Sequence, residues 1–335
     1  MNPARAHEIV GNFSKPVLVI GDVMLDRFVW GFVNRFSPEA SSCPVLAGTN
    51  EETMLGGAGN AAANLGALGA KRVRLVALIG HDEQGRSIEL MLRDALRKHQ
   101  SPVDNQLVKS PSRITTAKTR FVSQADDVHL LRVDREETTP ASKREFDALS
   151  HLIRQWSSVV SGIVIEDYGK GVVTPDLLRL VAMLGEERNI PVFIDPKKDH
   201  WEHFRGAEIV KPNEIEAYAA LGLKPGSCPI EDVGDRLLKY TRAKAIIITR
   251  GQEGMSLFTQ DGECITSTPT PLEVVDVSGA GDTAMSALSL SRIAGATWEE
   301  ALELANIASG IAVTKPGTST VSKDELLSRY GEENA

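Results

Sequence analysis

The chain is 335 residues long, 42% apolar and 24% charged, with a formal net charge of −8. This is the composition of an ordinary globular protein with room for a large core, and it excludes a low-complexity or disordered chain. The negative balance speaks against nucleic acid as a partner, which needs clustered Lys and Arg, and the lack of any apolar run of about 18 residues speaks against a membrane span.

The opening segment "MNPARAHEIVGNFSKPVLVIGD" has only a short apolar stretch flanked by charge, unlike a signal-peptide core, so a cytoplasmic location is expected. Within it Val17 to Ile20 reads as a buried strand, and Asp22 follows at its carboxyl end, where open α/β sheets place ligands. Trp30 to Val45 carries no helical pattern. Gly57-Ala-Gly-Asn-Ala-Ala62 has the outline of a dinucleotide fingerprint, but the preceding "NEETML" is a poor buried strand and no acidic residue follows at the distance needed to hold a ribose. Val73 to Ile79 reads as the next strand. After it, Gly80 to Ser87 nearly matches a phosphate loop, yet its lysine is missing and two carboxylates, Asp82 and Glu83, stand where phosphates would sit. That stretch reads instead as a connection into a helix over Ser87 to Lys98.

Ile114 to Asp134 reads as a hairpin turning near Ala125 to Asp127. Its period of two puts Thr116, Lys118, Arg120 and Val122 on one face. With Trp30 to Val45 it predicts a small β-layer projecting from the main sheet, either a lid or an edge hairpin capping the core. Further strands are predicted at Gly162 to Ile165, Val192 to Ile194 and Ala245 to Thr249. Helices are predicted at Ser142 to Trp156, Thr174 to Arg188, Ile230 to Tyr240, Ala280 to Ala294 and Thr297 to Thr314. Such alternation predicts an α/β fold with a mostly parallel central sheet and helices on both faces, read as one domain over residues 1–335. The three cysteines, Cys43, Cys228 and Cys264, are odd in number and far apart, against a disulfide framework or a structural zinc site.

The chemistry concentrates in "VDVSGAGDTAMSA", residues 275–287. Gly279 and Gly281 let the backbone turn sharply with amides exposed, and the helix starting near Ala280 adds aligned N–H groups, which makes an anion pocket suited to phosphate. An acceptor-only carboxylate at Asp282 would repel that phosphate unless a substrate hydroxyl lay between them. Asp282 then takes the hydroxyl proton while the amides of Gly279, Ala280 and Gly281 stabilise a migrating phosphoryl group. The plainer alternative is an Asp that complements the helix dipole.

"DVSGAGDT" resembles the C-terminal signature of the ribokinase or phosphofructokinase-B family of sugar kinases, and residues 56–69, "GGAGNAAANLGALG", resemble its second signature. The resemblance spans essentially the whole chain. It implies a three-layer α/β/α sandwich, a β-sheet lid over the sugar built from about 28–54 and 113–134, ATP with magnesium, and Asp282 as base. It also implies that Asp22, Asp26, Gly56, Gly57 and Asn60 bind sugar hydroxyls, although Asp22 and Asp26 as loop caps is the plainer reading. Asn213 and Glu216 in "KPNEIEA" match an Asn-x-x-Glu motif that organises magnesium through waters. Thr249, Gly251 and Gly254 match an ATP loop, Asn306 an adenine-side position, and Asp276 and Ser278 a monovalent-cation site, which would be potassium.

Within that family, "GDVMLDRF", "RFSPEA", "DYGKG", "IDPK" and "GTSTV" are similar to the branch that phosphorylates the 1-hydroxyl of D-glycero-D-manno-heptose 7-phosphate in lipopolysaccharide-core biosynthesis. A substrate already bearing phosphate needs cations, and Lys118, Arg120 and Lys170 are the candidates, their alternative being a solvated strand face. Lys197 is a further candidate beside the ATP phosphates. The alternatives are a kinase for another sugar or sugar phosphate, or a non-catalytic sugar-sensing module. No H-x-G-H nucleotidyltransferase motif occurs, so the expectation is a kinase alone, with adenylyl transfer left to another polypeptide. The exposed edge of a β-layer predicts a homodimer formed through it.

Overall fold

The computed structural model describes residues 1–98, 103–105, 107–125, 128–197, 199–268 and 273–331. Among the described residues a nine-stranded sheet runs through Cys264–Ser267, Met255–Thr259, Ala245–Thr249, Ile209–Val210, Val192–Asp195, Gly162–Glu166, Pro16–Gly21, Arg72–Val76 and Val103–Asn105. The pairs from Ala245–Thr249 to Val103–Asn105 are parallel, and the two strands at the other edge are antiparallel.

Alternation along each short apolar strand explains the layers. Val17 and Val19 join one buried cluster while Leu18 and Ile20 join the other, and Val164 is likewise separated from Ile163 and Ile165. Helices Pro3–Gly11, Ala58–Ala67, Glu83–Lys98, Ala280–Ile293 and Trp298–Ala312 cover the first cluster. Lys143–Trp156, Pro175–Arg188, Glu214–Ala220 and Ile230–Thr241 cover the second. The result is the expected α/β architecture with helices on both faces.

Most predicted elements stand within a residue or two of their expected ends, helped by caps such as Ser142 with Glu145 and Thr297 with Glu300. Two differ. The strand expected over Val73 to Ile79 is broken at Ala77, whose carbonyl accepts from Val108 N–H at 2.9 Å, so Leu78–Gly80 leaves the main sheet to pair with Val108–Ser110. The helix expected from Ser87 begins at Glu83, because Asp82 accepts from the Gly85 amide at 2.9 Å and from the Thr115 hydroxyl at 2.6 Å. Asp82 thereby fills the near-match to a phosphate loop with its own carboxylate.

A separate four-stranded sheet is ordered Pro44–Gly57, Val23–Phe36, Thr116–Ser123, Val128–Arg135. Thr116–Ser123 runs parallel to Val23–Phe36 and antiparallel to Val128–Arg135. The turn expected at 125–127 falls partly on residues 126 and 127, which lie outside the described residues. Register sets Asp26 opposite Lys118 and Phe28 opposite Arg120, so these share one face. No described helix is long and apolar enough to cross a membrane.

Candidate active site

Pro16–Gly21 lies between Gly162–Glu166 and Arg72–Val76, so chain order reverses there and a crevice opens at the strands' carboxyl ends. The helix Ala280–Ile293 points its first turn at that crevice. Gly279 caps it at φ 75°, and a Cβ there would lie 2.5 Å from Asn60 Nδ2, so both conformation and space demand glycine. Asp282, in the first turn, is 2% exposed. Asn60 Nδ2 donates to its Oδ2 at 2.7 Å, and the Tyr168 hydroxyl donates to its Oδ1. Burial pushes Asp282 up to about 7, against the opposing pull of the Tyr168 and Asn60 hydrogen bonds. A carboxylate poised near neutrality suits a general base.

Two further carboxylates crowd this position. One oxygen each of Glu166, Asp195 and Asp282 lie within 4.8 Å of one another. Lys211 supplies positive charge, pairing with Asp195 at 2.8 Å, its own side chain only 3% exposed. Both Glu166 oxygens are buried without a hydrogen-bond partner. Burial, then the charges of Asp195 and Asp282, raises Glu166 well above the ordinary carboxylate range. Sequence reasoning passed over Glu166, Tyr168, Asp195 and Lys211. A lysine closing the apolar run "AEIVK" and a glutamate closing "GIVIE" were the available signals.

On one side of Asp282 a cavity of about 640 Å³ is lined by Thr249, Gly251, Gly254 and Asn306, together with Ala280 and Gly281. The expected nucleotide residues and the expected anion-binding turn therefore share one space. Asn306 Nδ2 donates to Ser267 O and Oγ, both at 3.0 Å. Asn213 bridges to Thr249 beside this cavity. Asn213 and Glu216 form a reciprocal capping box, with bonds of 2.9 and 3.1 Å, and Lys197 Nζ donates to Glu216 at 3.1 Å. Each Glu216 oxygen keeps a lone pair, and hard carboxylate and amide oxygens fit a hydrated magnesium ion. Asp276 accepts from Ser278 N–H at 2.8 Å and Gly317 N–H at 3.0 Å, so it braces this wall, and Ser278 contributes its amide to the brace.

The small sheet presents a second charged face. Arg120 Nη1 bonds Asp26 at 2.5 Å and lies over the Phe28 ring. Lys170 Nζ pairs with Glu136 at 2.6 Å. Lys118 is half-buried, and burial lowers its pKa, partly offset by Asp26. Gly56 and Gly57 allow close approach: a Cβ would lie 2.3 Å from Asp26 Oδ2 at the first and 2.4 Å from Asp22 O at the second.

Asp22 makes the bonds of a loop cap. Its carboxylate accepts from the amides of Tyr168 and Lys170, both at 2.9 Å, and of Val172 at 3.0 Å. It is 1% exposed and holds the loop after Gly162–Glu166, which favours the plainer reading of a loop cap. Asn60 commits one of its two side-chain N–H donors to Asp282.

A profile of pfkB family carbohydrate kinases matches residues 14–325. A protein from Geobacter metallireducens named bifunctional protein HldE is 42% identical over 315 residues, covering 94% of this chain and 62% of that protein. A namesake from Bradyrhizobium diazoefficiens is 39% identical over 313 residues, covering 93% of this chain and 62% of that protein. The chain thus spans less than two thirds of the length of these relatives. Among solved structures, phosphofructokinase-2 from Escherichia coli in complex with substrates and products superposes with a TM-score of 0.76 at 19% identity, covering 95% of this chain and 98% of that one. The same enzyme in complex with potassium gives 0.77 at 19% identity, with the same coverage. Arabidopsis thaliana ribokinase complexed with ribose and ATP gives 0.72 at 19% identity, covering 95% and 99%. These structures share the fold.

Proposed function

The chain belongs to the pfkB family of carbohydrate kinases, and on that premise we propose that it transfers the γ-phosphoryl group of ATP to the anomeric 1-hydroxyl of D-glycero-D-manno-heptose 7-phosphate. The observation that carries the reading is Asp282, buried beside a glycine turn that lines the nucleotide-sized cavity. Asp282 receives the hydroxyl proton as the sugar oxygen attacks the γ-phosphorus. The bond from that phosphorus to the β,γ-bridging oxygen breaks, and ADP carries away its electron pair. Amides of the turn at Gly279, Ala280 and Gly281 face the charge on the migrating group, where preorganised donors are most effective.

Asn213 and Glu216 would hold magnesium through waters, and the ion would supply charge neutralisation to the phosphates. Asp276 and Ser278 are the candidates for a monovalent cation, a reading supported by the neighbour crystallised with potassium. Lys118, Arg120 and Lys170 cradle the phosphate already on the sugar, and Asp26 meets its hydroxyls. Support for the heptose comes from the sequence stretches similar to that branch of kinases and from a cationic face that a plain sugar would not need. Residues 28–54 and 113–134 act as the lid, closing against water that would otherwise divert transfer to hydrolysis.

ATP turnover measured with a panel of sugars tests the substrate. Preference for the heptose phosphate is expected, and preference for ribose, fructose or fructose 6-phosphate would contradict it.

A second copy is expected against the outer strand Val128–Arg135, where Leu131 is 58% and Val133 48% exposed. Light scattering at micromolar concentration should give twice the monomer mass, and a monomer there would contradict the dimer.

A further inference from the structure

The loop Asp167–Gly171 joins two carboxylates with different tasks. At one end Asp22 grips its backbone through the Tyr168, Lys170 and Val172 amides. At the other the Tyr168 hydroxyl reaches Asp282. The loop has little freedom between these points. Arg113 donates to Lys170 O at 2.9 Å and Thr139 O at 2.5 Å, tying the loop to the segment before Lys143–Trp156. Gly171 is packed so closely that a Cβ would lie 2.1 Å from Thr139 O, and the Tyr168 ring lies over Gly57, 3.3 Å from where a Cβ would stand.

We propose that Tyr168 is a positioning residue for the base, holding the Asp282 carboxylate in the plane from which one oxygen faces the acceptor hydroxyl; this rests on Asp282 being the base. The terminal torsion of an aspartate is broad, so one donor leaves the carboxylate free to swing. Here each oxygen has its own donor. Asn60 holds Oδ2, and Asn64 Nδ2 donates to Asn60 Oδ1 at 3.1 Å, which turns the Asn60 amino group towards Asp282. Tyr168 holds Oδ1 from the opposite segment of chain. Each carboxylate oxygen accepts more than one hydrogen bond, so a sugar hydroxyl can approach with both donors in place. Burial and the surrounding carboxylates raise the phenol's pKa, which keeps Tyr168 a donor throughout the neutral range.

The test compares wild type, Tyr168→Phe and Asp282→Asn in one steady-state assay with ATP and D-glycero-D-manno-heptose 7-phosphate. Phenylalanine keeps the ring on Gly57 and removes only the hydroxyl. A hydrogen bond to a charged group is expected to be worth about 10- to 100-fold in kcat, with KM for both substrates held within about twofold. Wild-type kcat in Tyr168→Phe beside an inactive Asp282→Asn would overturn the positioning role while leaving the base in place. A Tyr168→Phe defect carried by the sugar KM alone would overturn it as well, making Tyr168 a sugar ligand. An active Asp282→Asn would instead overturn the reading of Asp282 on which the proposal rests.

Discussion

Asn60 Nδ2 donates to Asp282 Oδ2 at 2.7 Å across 222 residues of chain, joining the two glycine-rich segments of the sequence at one carboxylate. Glycines make the contact feasible on both sides. Gly279 leaves room for the Asn60 amide, and Gly57, at φ 58°, turns the chain into the helix that carries Asn60. Each segment alone resembled a common phosphate or nucleotide motif, and only their junction defines the site.

The first prediction concerns pH. Asp282 is pushed up to about 7, and the reaction needs it ionised, so kcat/KM should fall about tenfold per unit as pH drops below that value. The Asn60 hydrogen bond favours the carboxylate and lowers this pKa. Asn60→Leu should therefore move the acidic limb to higher pH. A pH profile of kcat/KM for both proteins checks this, and an unmoved limb would contradict it.

Stability should depend sharply on Lys211. Its ammonium is buried against Asp195 and beside Glu166 and Asp282, so Lys211→Met leaves Asp195 buried without its cation. Breaking one side of a buried pair typically costs about 3–5 kcal/mol. Urea unfolding should show a loss of that order, and less when Asp195→Leu is added. A neutral Lys211→Met would mean that the cluster carries less charge than assigned here.

Recognition of the substrate's own phosphate is assigned to the lid face. Arg120 and Lys170 are already paired with Asp26 and Glu136, whereas Lys118 stands opposite Asp26 with burial lowering its pKa. Lys118→Ala should raise KM for the phosphosugar by about 10- to 100-fold, the worth of one charge-assisted hydrogen bond, with little change in KM for ATP. Equal effects on both substrates would move Lys118 out of the cradle.

Much of this was legible beforehand because the signals are local. Val17 to Ile20, Gly162 to Ile165 and Ala245 to Thr249 announce themselves as buried strands by continuous apolar runs, and the period of two in Thr116 to Val122 placed Lys118 and Arg120 on one face. Helix Pro3–Gly11 was missed, its short length and few apolar positions giving a weak pattern despite an Asn2 cap. The larger omissions are long-range. Nothing in the spacing of Glu166, Asp195 and Lys211 says that adjacent parallel strands end them beside Asp282. Asp22 sits at the strand end where a ligand residue is expected, but three backbone amides compete for its oxygens, and only the folded loop reveals them.

The central claim is that Asp282 accepts the sugar's proton while the neighbouring turn receives the phosphoryl group, and single-turnover phosphoryl transfer by Asp282→Asn at saturating ATP and heptose 7-phosphate tests it most directly. The account predicts a rate lower by about 10²- to 10⁴-fold with nucleotide affinity largely retained. Transfer at the wild-type rate would contradict it.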